Sequence, residues 1–218
     1  MSIGKVVRKV LGTKRFANVA RSYRSFFLDI KKLTATLDTI IPINGKILDI
    51  GGGDGEVINQ ILAIRKVLTV TMIDLSTSIG NSLSSSVRDR VKILPGTSVK
   101  DIEIRNDIEF NTVIVSDVIH HIPPSMRQTF FLDIRSVCRL ANHPILIIIK
   151  DVQPGTLVSY LGYFSDRFVS GDKNVSLIAQ SELQAQLSSV FNPEKFNDTN
   201  LFEIDRPNYA FYFTFRPS

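Results

Sequence analysis

Cysteine is nearly absent: Cys138 is the only one among 218 residues. An internal disulfide framework is thereby excluded, and a reducing, cytoplasmic setting is expected. Long apolar runs are missing too. No stretch reaches about 18 apolar residues, so no membrane-spanning helix is expected. The N-terminus lacks the continuous apolar core of a secretory signal. Repeats and low-complexity linkers are also lacking. Histidine is scarce, with three residues, which narrows the search for a side chain that titrates near neutral pH.

Net positive charge is missing from most of the chain. Residues 1–32 hold nine Lys/Arg against the single acid Asp29, a balance of +8. With +5 overall, the other 186 residues sum to −3. The basic character belongs to an N-terminal arm, and the body lacks the basic face that nucleic acid requires. Within the arm, Ile3, Val6, Val7, Val10 and Leu11 recur at helical spacing between basic residues. Three readings stay open: a solvated terminus, a basic amphipathic helix, or a transit peptide or RNA contact. As an amphipathic helix, residues 3–16 would lie on a membrane surface or cover an anionic substrate.

The rest alternates. Tyr23 to Ile41 reads as a helix stopped by Pro42 and Asn44-Gly45. Strands are expected at 46–50, 67–73, 90–94, 110–116 and 144–150, with helices at 55–65, 77–87 and 124–140 and a short helical turn near 98–105. Continuous apolar strands such as "PILIIIK" are buried on both faces, as in a parallel sheet between helices. Right-handed crossovers then make a doubly wound α/β fold. After the fifth strand comes an insertion, 152–179, then a helix from Ser181 with a Ser181/Gln184 capping box. The strands "KFNDTNLFEID" and "NYAFYFTF" close the chain as an antiparallel hairpin, giving seven strands. The expected division is an arm and helix over 1–44 and a main domain over 45–218, with 152–179 as a lid.

The sharpest signal is "ILDIGGGDGE", 47–56, a glycine-rich turn between the first strand and its helix. Such a turn lets a ligand approach bare backbone. A dinucleotide turn is incomplete, because Glu56 stands where its third glycine belongs and would face a pyrophosphate. A P-loop is excluded by the absence of Gly-Lys-Ser/Thr. What is present is acid-x-Gly-x-Gly-x-Gly: Asp49, Gly51, Gly53 and Gly55. Asp74 ends the second strand, 19 residues beyond Gly55, where a carboxylate can accept ribose hydroxyls. "SDVIHHIP" follows the fourth strand.

Loop, Asp74 and "DVIHHIP", in that order, resemble class I S-adenosylmethionine-dependent methyltransferases of small-molecule type. The resemblance covers about 45–151 by motif and the remainder by element order. It implies a mostly parallel seven-stranded sheet of the Rossmann-like methyltransferase type, with S-adenosylmethionine as cofactor and no metal. Asp49 would organise the loop and hold the methionine amino group, and Gly51, Gly52 and Gly53 would allow close approach. Asp74 would take the ribose and Leu75 the adenine. Thr97 or Ser98 would reach the adenine amino group, although the family more often has an acid there. Asp117 and Val118 would lie beside the cofactor. His120 or His121 would act as general base, with Lys150 a further catalytic candidate. His143 reads as a surface turn at the opposite end.

The acceptor is expected to be a small aromatic, polyketide-derived or lipid-like molecule of secondary metabolism, held by Tyr23, Phe27, Tyr160, Tyr163 and Phe164. Methylation at O, N or C stays open, as does a monomer or a homodimer. One alternative is an RNA 2′-O-methyltransferase using Asp117, Lys150, Glu203 and an N-terminal lysine. Its weak points are the paired histidines and the acidic body. A second is a cofactor-binding regulator without turnover. A third role for the strand ends, Mg²⁺ held by Asp117 and Asp151, is disfavoured because Val152 stands where catechol-type enzymes have Asn.

Overall fold

A computed structural model describes residues 29–105, 107–160, 175–199, 201 and 207–217. The expected arm over 3–16, Tyr23, Phe27, Tyr163, Phe164 and Glu203 lie outside these residues.

Seven strands form one sheet: β1 (Lys46–Ile50), β2 (Thr69–Asp74), β3 (Val91–Pro95), β4 (Thr112–Ser116), β5 (Ile145–Val152), β6 (Asn197–Asp198) and β7 (Asn208–Phe215). Their order is β3-β2-β1-β4-β5-β7-β6. The first five run parallel, and β7 inserts antiparallel between β5 and β6. This is the doubly wound sheet with the antiparallel C-terminal hairpin that the apolar pattern implied. Strand order reverses between β1 and β4, so their carboxyl ends open a crevice.

The helices with both ends among the described residues are α1 (Ile30–Ile40), α2 (Glu56–Ile64), α3 (Ser85–Arg88), α4 (Pro124–Arg139) and α5 (Gln180–Phe191), with 3-10 turns at Lys100–Ile102 and Ile119–His121; residues 157–160 are helical as well. Strand side chains alternate between two cores. Val113, Val115, Ile147, Ile149, Phe211 and Phe213 meet α4 and α5 on one face. Ile47, Val70, Met72, Ile114 and Ile148 meet α1 and α2 on the other. Cys138 lies in the first core, where burial pushes its thiol up to about 12 and makes it inert at neutral pH. Among the described residues no helix is long and apolar enough to cross a membrane.

Four expectations need correction. The helix placed at Tyr23–Ile41 begins at Ile30, because Asp29 caps it by accepting from the Lys32 N–H. Its Leu33 and Leu37 are core residues. The helix placed at 77–87 shrinks to Ser85–Arg88. There, Gly80 has φ +70° and donates its N–H to the Gly53 carbonyl, while the Ser82 N–H bonds Asp54 O, so the segment braces the glycine loop. Helix α5 starts at Gln180 without a side-chain cap. The Gln180 and Gln184 side chains both donate to Asp198 Oδ1 instead of forming the Ser181/Gln184 box. Of "KFNDTNLFEID", only Asn197 and Asp198 pair as strand among the described residues.

Candidate active site

The glycine loop leaves β1 with left-handed φ at Gly51 (+73°), Gly53 (+53°) and Gly55 (+80°). A Cβ on Gly51 would lie 2.4 Å from Val118 Cγ2. One on Gly52 would lie 2.3 Å from Asp49 Oδ2 and 2.4 Å from Met72 Cγ. Here the missing side chains serve packing of the loop against β2 and the β4 exit. Of the four loop glycines, only Gly53 faces open space, with its nearest non-neighbour atom 3.9 Å away. Gly51→Ala therefore combines an αL penalty of about 1–2 kcal/mol with a steric overlap. A thermal melt should show a loss of several degrees, and a melting point like that of the wild type would contradict this packing.

Asp49 sits on the α1–α2 face of β1, 4% exposed. Among the described residues its carboxylate makes no hydrogen bond. Burial, with the negative charge of Asp74 second, pushes its pKa up to about 7. A buried acid without a donor is costly to ionise, and a cationic ligand would relieve that cost. Asp74 braces its surroundings. Its Oδ2 accepts the Gly53 N–H at 3.1 Å and its Oδ1 the Ser76 N–H at 2.7 Å.

A cavity of about 530 Å³ opens beside these groups at the carboxyl ends of β1, β2 and β4. Gly51, Asp74, Leu75, Thr97, Ser98, Asp117, Val118 and His121 all line it, whereas Asp49, Gly52 and Gly53 do not. Leu75 is 76% exposed at the rim. Thr97 is buried and donates to Pro95 O at 3.3 Å. The Ser98 hydroxyl and N–H both bond Asp101 Oδ2, at 2.7 and 2.8 Å. These bonds hold Asp101 below the usual carboxylate range. The opposite wall was missed: Met126, Thr129, Phe130 and Asp133 line the cavity from α4. Their i, i+3, i+4, i+7 spacing, directly after the histidine turn, was the available signal. Among the described residues the lining carries three carboxylates, Asp74, Asp117 and Asp133, and no Lys or Arg.

Behind the cavity lies a charged network. Asp117 leaves β4 at φ +58°, a strained angle for a non-glycine residue. Its Oδ1 accepts from Lys150 Nζ at 2.5 Å. Lys150 is 3% exposed and does not line the cavity. The two histidines part company. His120 is 3% exposed, with Nδ1 2.5 Å from Asp151 Oδ1 and its N–H donated to Asp151 Oδ2 at 3.2 Å. His121 turns into the cavity, its ring centroid 4.1 Å from that of His120. Burial alone would raise the Asp151 pKa, but the charge and hydrogen bond of His120, the Val152 N–H and Lys150 outweigh it and hold it low. Asp117, His120 and Asp151 each offer a ligand atom within 4.8 Å of the others. The Lys150 ammonium already supplies the positive charge there. Tyr160 is half exposed, beyond the cavity lining. His143 lies exposed just before β5, at the far end of the sheet.

No protein-family model and no curated protein matches the sequence. Solved structures share its fold. Human N-acetylserotonin methyltransferase, in complex with S-adenosylmethionine, is 14% identical over 85% of this chain and 52% of its own, with TM-score 0.62. An O-methyltransferase family protein from Burkholderia thailandensis is 14% identical over 86% and 56%, with TM-score 0.63. From the same organism, 1,6-didemethyltoxoflavin-N1-methyltransferase, with bound 1,6-didemethyltoxoflavin and S-adenosylhomocysteine, is 15% identical over 92% and 83%, with TM-score 0.61. The chain spans about half the length of the first two. At these identities the likeness is one of fold: this is the seven-stranded fold of S-adenosylmethionine-dependent methyltransferases.

Proposed function

We propose that the protein transfers a methyl group from S-adenosylmethionine to a small neutral or aromatic acceptor. The observation that carries this is the buried, donorless carboxylate of Asp49 beside a glycine cradle, next to a cavity lined by three acids and no Lys or Arg. That set suits a ligand with positive charge and ribose hydroxyls, and it disfavours pyrophosphate. The bound cofactor supplies a methyl carbon activated by cationic sulfur. The protein then has to align the acceptor and remove its proton.

Asp74 accepts the ribose hydroxyls with the lone pairs its two backbone bonds leave over. Asp49 answers the positive charge of the methionine part. Met126, Phe130 and Leu75 enclose the flat parts of the ligand. His121 takes the acceptor proton, because it is the histidine that reaches the cavity. His120, held by Asp151, sits behind it and orients the turn. The acceptor's atom, O, N or C, is left to experiment. So are membrane contact through 3–16 and acceptor contacts from Tyr23, Phe27, Tyr160, Tyr163 and Phe164. An RNA acceptor is disfavoured because acids without Lys or Arg repel phosphates.

Transfer of labelled methyl to a panel of phenols, amines, quinones and pooled RNA tests the reading. Uptake by a phenol or amine is expected. With that acceptor, His121→Ala should lower kcat by about 10²–10⁴ with KM little changed, and Asp74→Ala should weaken cofactor binding at least about tenfold. Uptake by RNA alone would overturn the acceptor class.

A further inference from the structure

Arg127 has no part in the roles above, yet it is 2% exposed in the first turn of α4. Its Nε donates to the Ile122 carbonyl at 3.1 Å, and its Nη2 donates to the Ser176 carbonyl. Ile122 ends the histidine turn, and Ser176 lies where the chain returns from the insertion. The Ser176 N–H in turn donates to the His120 carbonyl at 2.7 Å. One guanidinium thus closes a ring of contacts: α4, the exit of the turn, the returning segment and the turn itself. Tyr209 anchors the same segment by donating its hydroxyl to Ile178 O at 3.2 Å.

Burial of a guanidinium is expensive unless its donors and charge are met. Here the donors meet two carbonyls. The charge is met by Asp151 first, then by Glu182 of α5, with Tyr209 of β7 also nearby. Asp151 is the same carboxylate that holds His120, and Lys150 of β5 faces it as well. A planar fork donating from two nitrogens is a task lysine cannot copy.

We propose that Arg127 is a positioning residue of the active site: it clamps the His120–His121 turn to Ser176, fixing the place of both imidazoles. The proposal rests on the methyltransferase reading only for what the histidines do, and its test needs no acceptor.

The chain has three histidines, and His143, exposed at the other end of the sheet, serves as an internal reference. Imidazole resonances are followed against pH in full-length wild type, Arg127→Met and Arg127→Lys, together with amide exchange. In Arg127→Met, Asp151 loses a positive neighbour, so protonated His120 is favoured. Its titration midpoint should move up by on the order of one pH unit, the His121 signal should move, and His143 should stay. The Ser176 amide should exchange at least about tenfold faster. Arg127→Lys keeps the charge and loses the fork. It should restore the His120 titration while leaving Ser176 exposed to exchange. Unmoved His120 and His121 signals in Arg127→Met overturn the proposal, as does equal displacement of all three histidines in both variants. If Arg127→Met does not fold, wild-type Ser176 protection in Arg127→Lys overturns it alone. A wild type that ignores S-adenosylmethionine in calorimetry would sink the functional reading and leave this result standing.

Discussion

Asp49→Asn should abolish binding of S-adenosylmethionine and at the same time make the empty protein more stable above neutral pH. The two effects share a cause. Burial, and then Asp74, raise the Asp49 pKa from 3.8 to about 7. Between those values the folded state binds a proton that the unfolded chain has released. Stability therefore falls as pH rises from about 4 to about 7 and is flat above. Keeping the carboxylate ionised in the folded protein costs at most about 4 kcal/mol on this scale. Asparagine does not ionise and escapes this penalty, so a gain of about 2–4 kcal/mol is expected at pH 8 and almost none at pH 4. Urea denaturation of both proteins across that range checks it. The ligand's positive charge offsets the penalty in the complex, so the variant loses what the penalty makes possible. A variant that binds normally, or is less stable at pH 8, contradicts the role given to Asp49.

Lys150→Met should unfold the protein more readily, by about 3–5 kcal/mol at neutral pH. The ammonium is 3% exposed and holds Asp117, and its charge also supports Asp151, which is fully buried. Removing it leaves Asp117 without its cation and Asp151 with only His120 and the charge of Arg127. The loss should shrink as pH falls and Asp151 protonates. Near-equal melting temperatures for variant and wild type at pH 7 would refute this. The same measurement separates a structural lysine from a catalytic one, since a proton-transferring lysine at a cavity wall would cost rate with little stability.

Much of this was legible in the sequence. Apolar strands such as "PILIIIK" announce burial on both faces, and the glycine loop, Asp74 and the histidine turn fall at carboxyl strand ends because strand direction fixes which loops share a crevice. What was not legible arises from contacts distant in sequence. Gly80 and Ser82 unwind the helix expected at 77–87 by bonding the glycine loop. Gln184 leaves its expected cap because Asp198 lies across from it. That His120 is buried against Asp151, 31 residues away, while His121 lines the cavity could not be read from the sequence. The α4 wall and Arg127 escaped notice because a helix-spaced Met, Thr, Phe, Asp set reads equally well as an ordinary helix face.

At the centre of the proposed function, a buried carboxylate waits for a cationic cofactor. Calorimetric titration of the wild type with S-adenosylmethionine, in buffers of different ionisation enthalpy, measures it directly. At pH 6 binding should release about one proton, and at pH 8 close to none, with NAD giving no heat at either pH. Binding without proton release at pH 6, or tighter binding of NAD, would contradict the account.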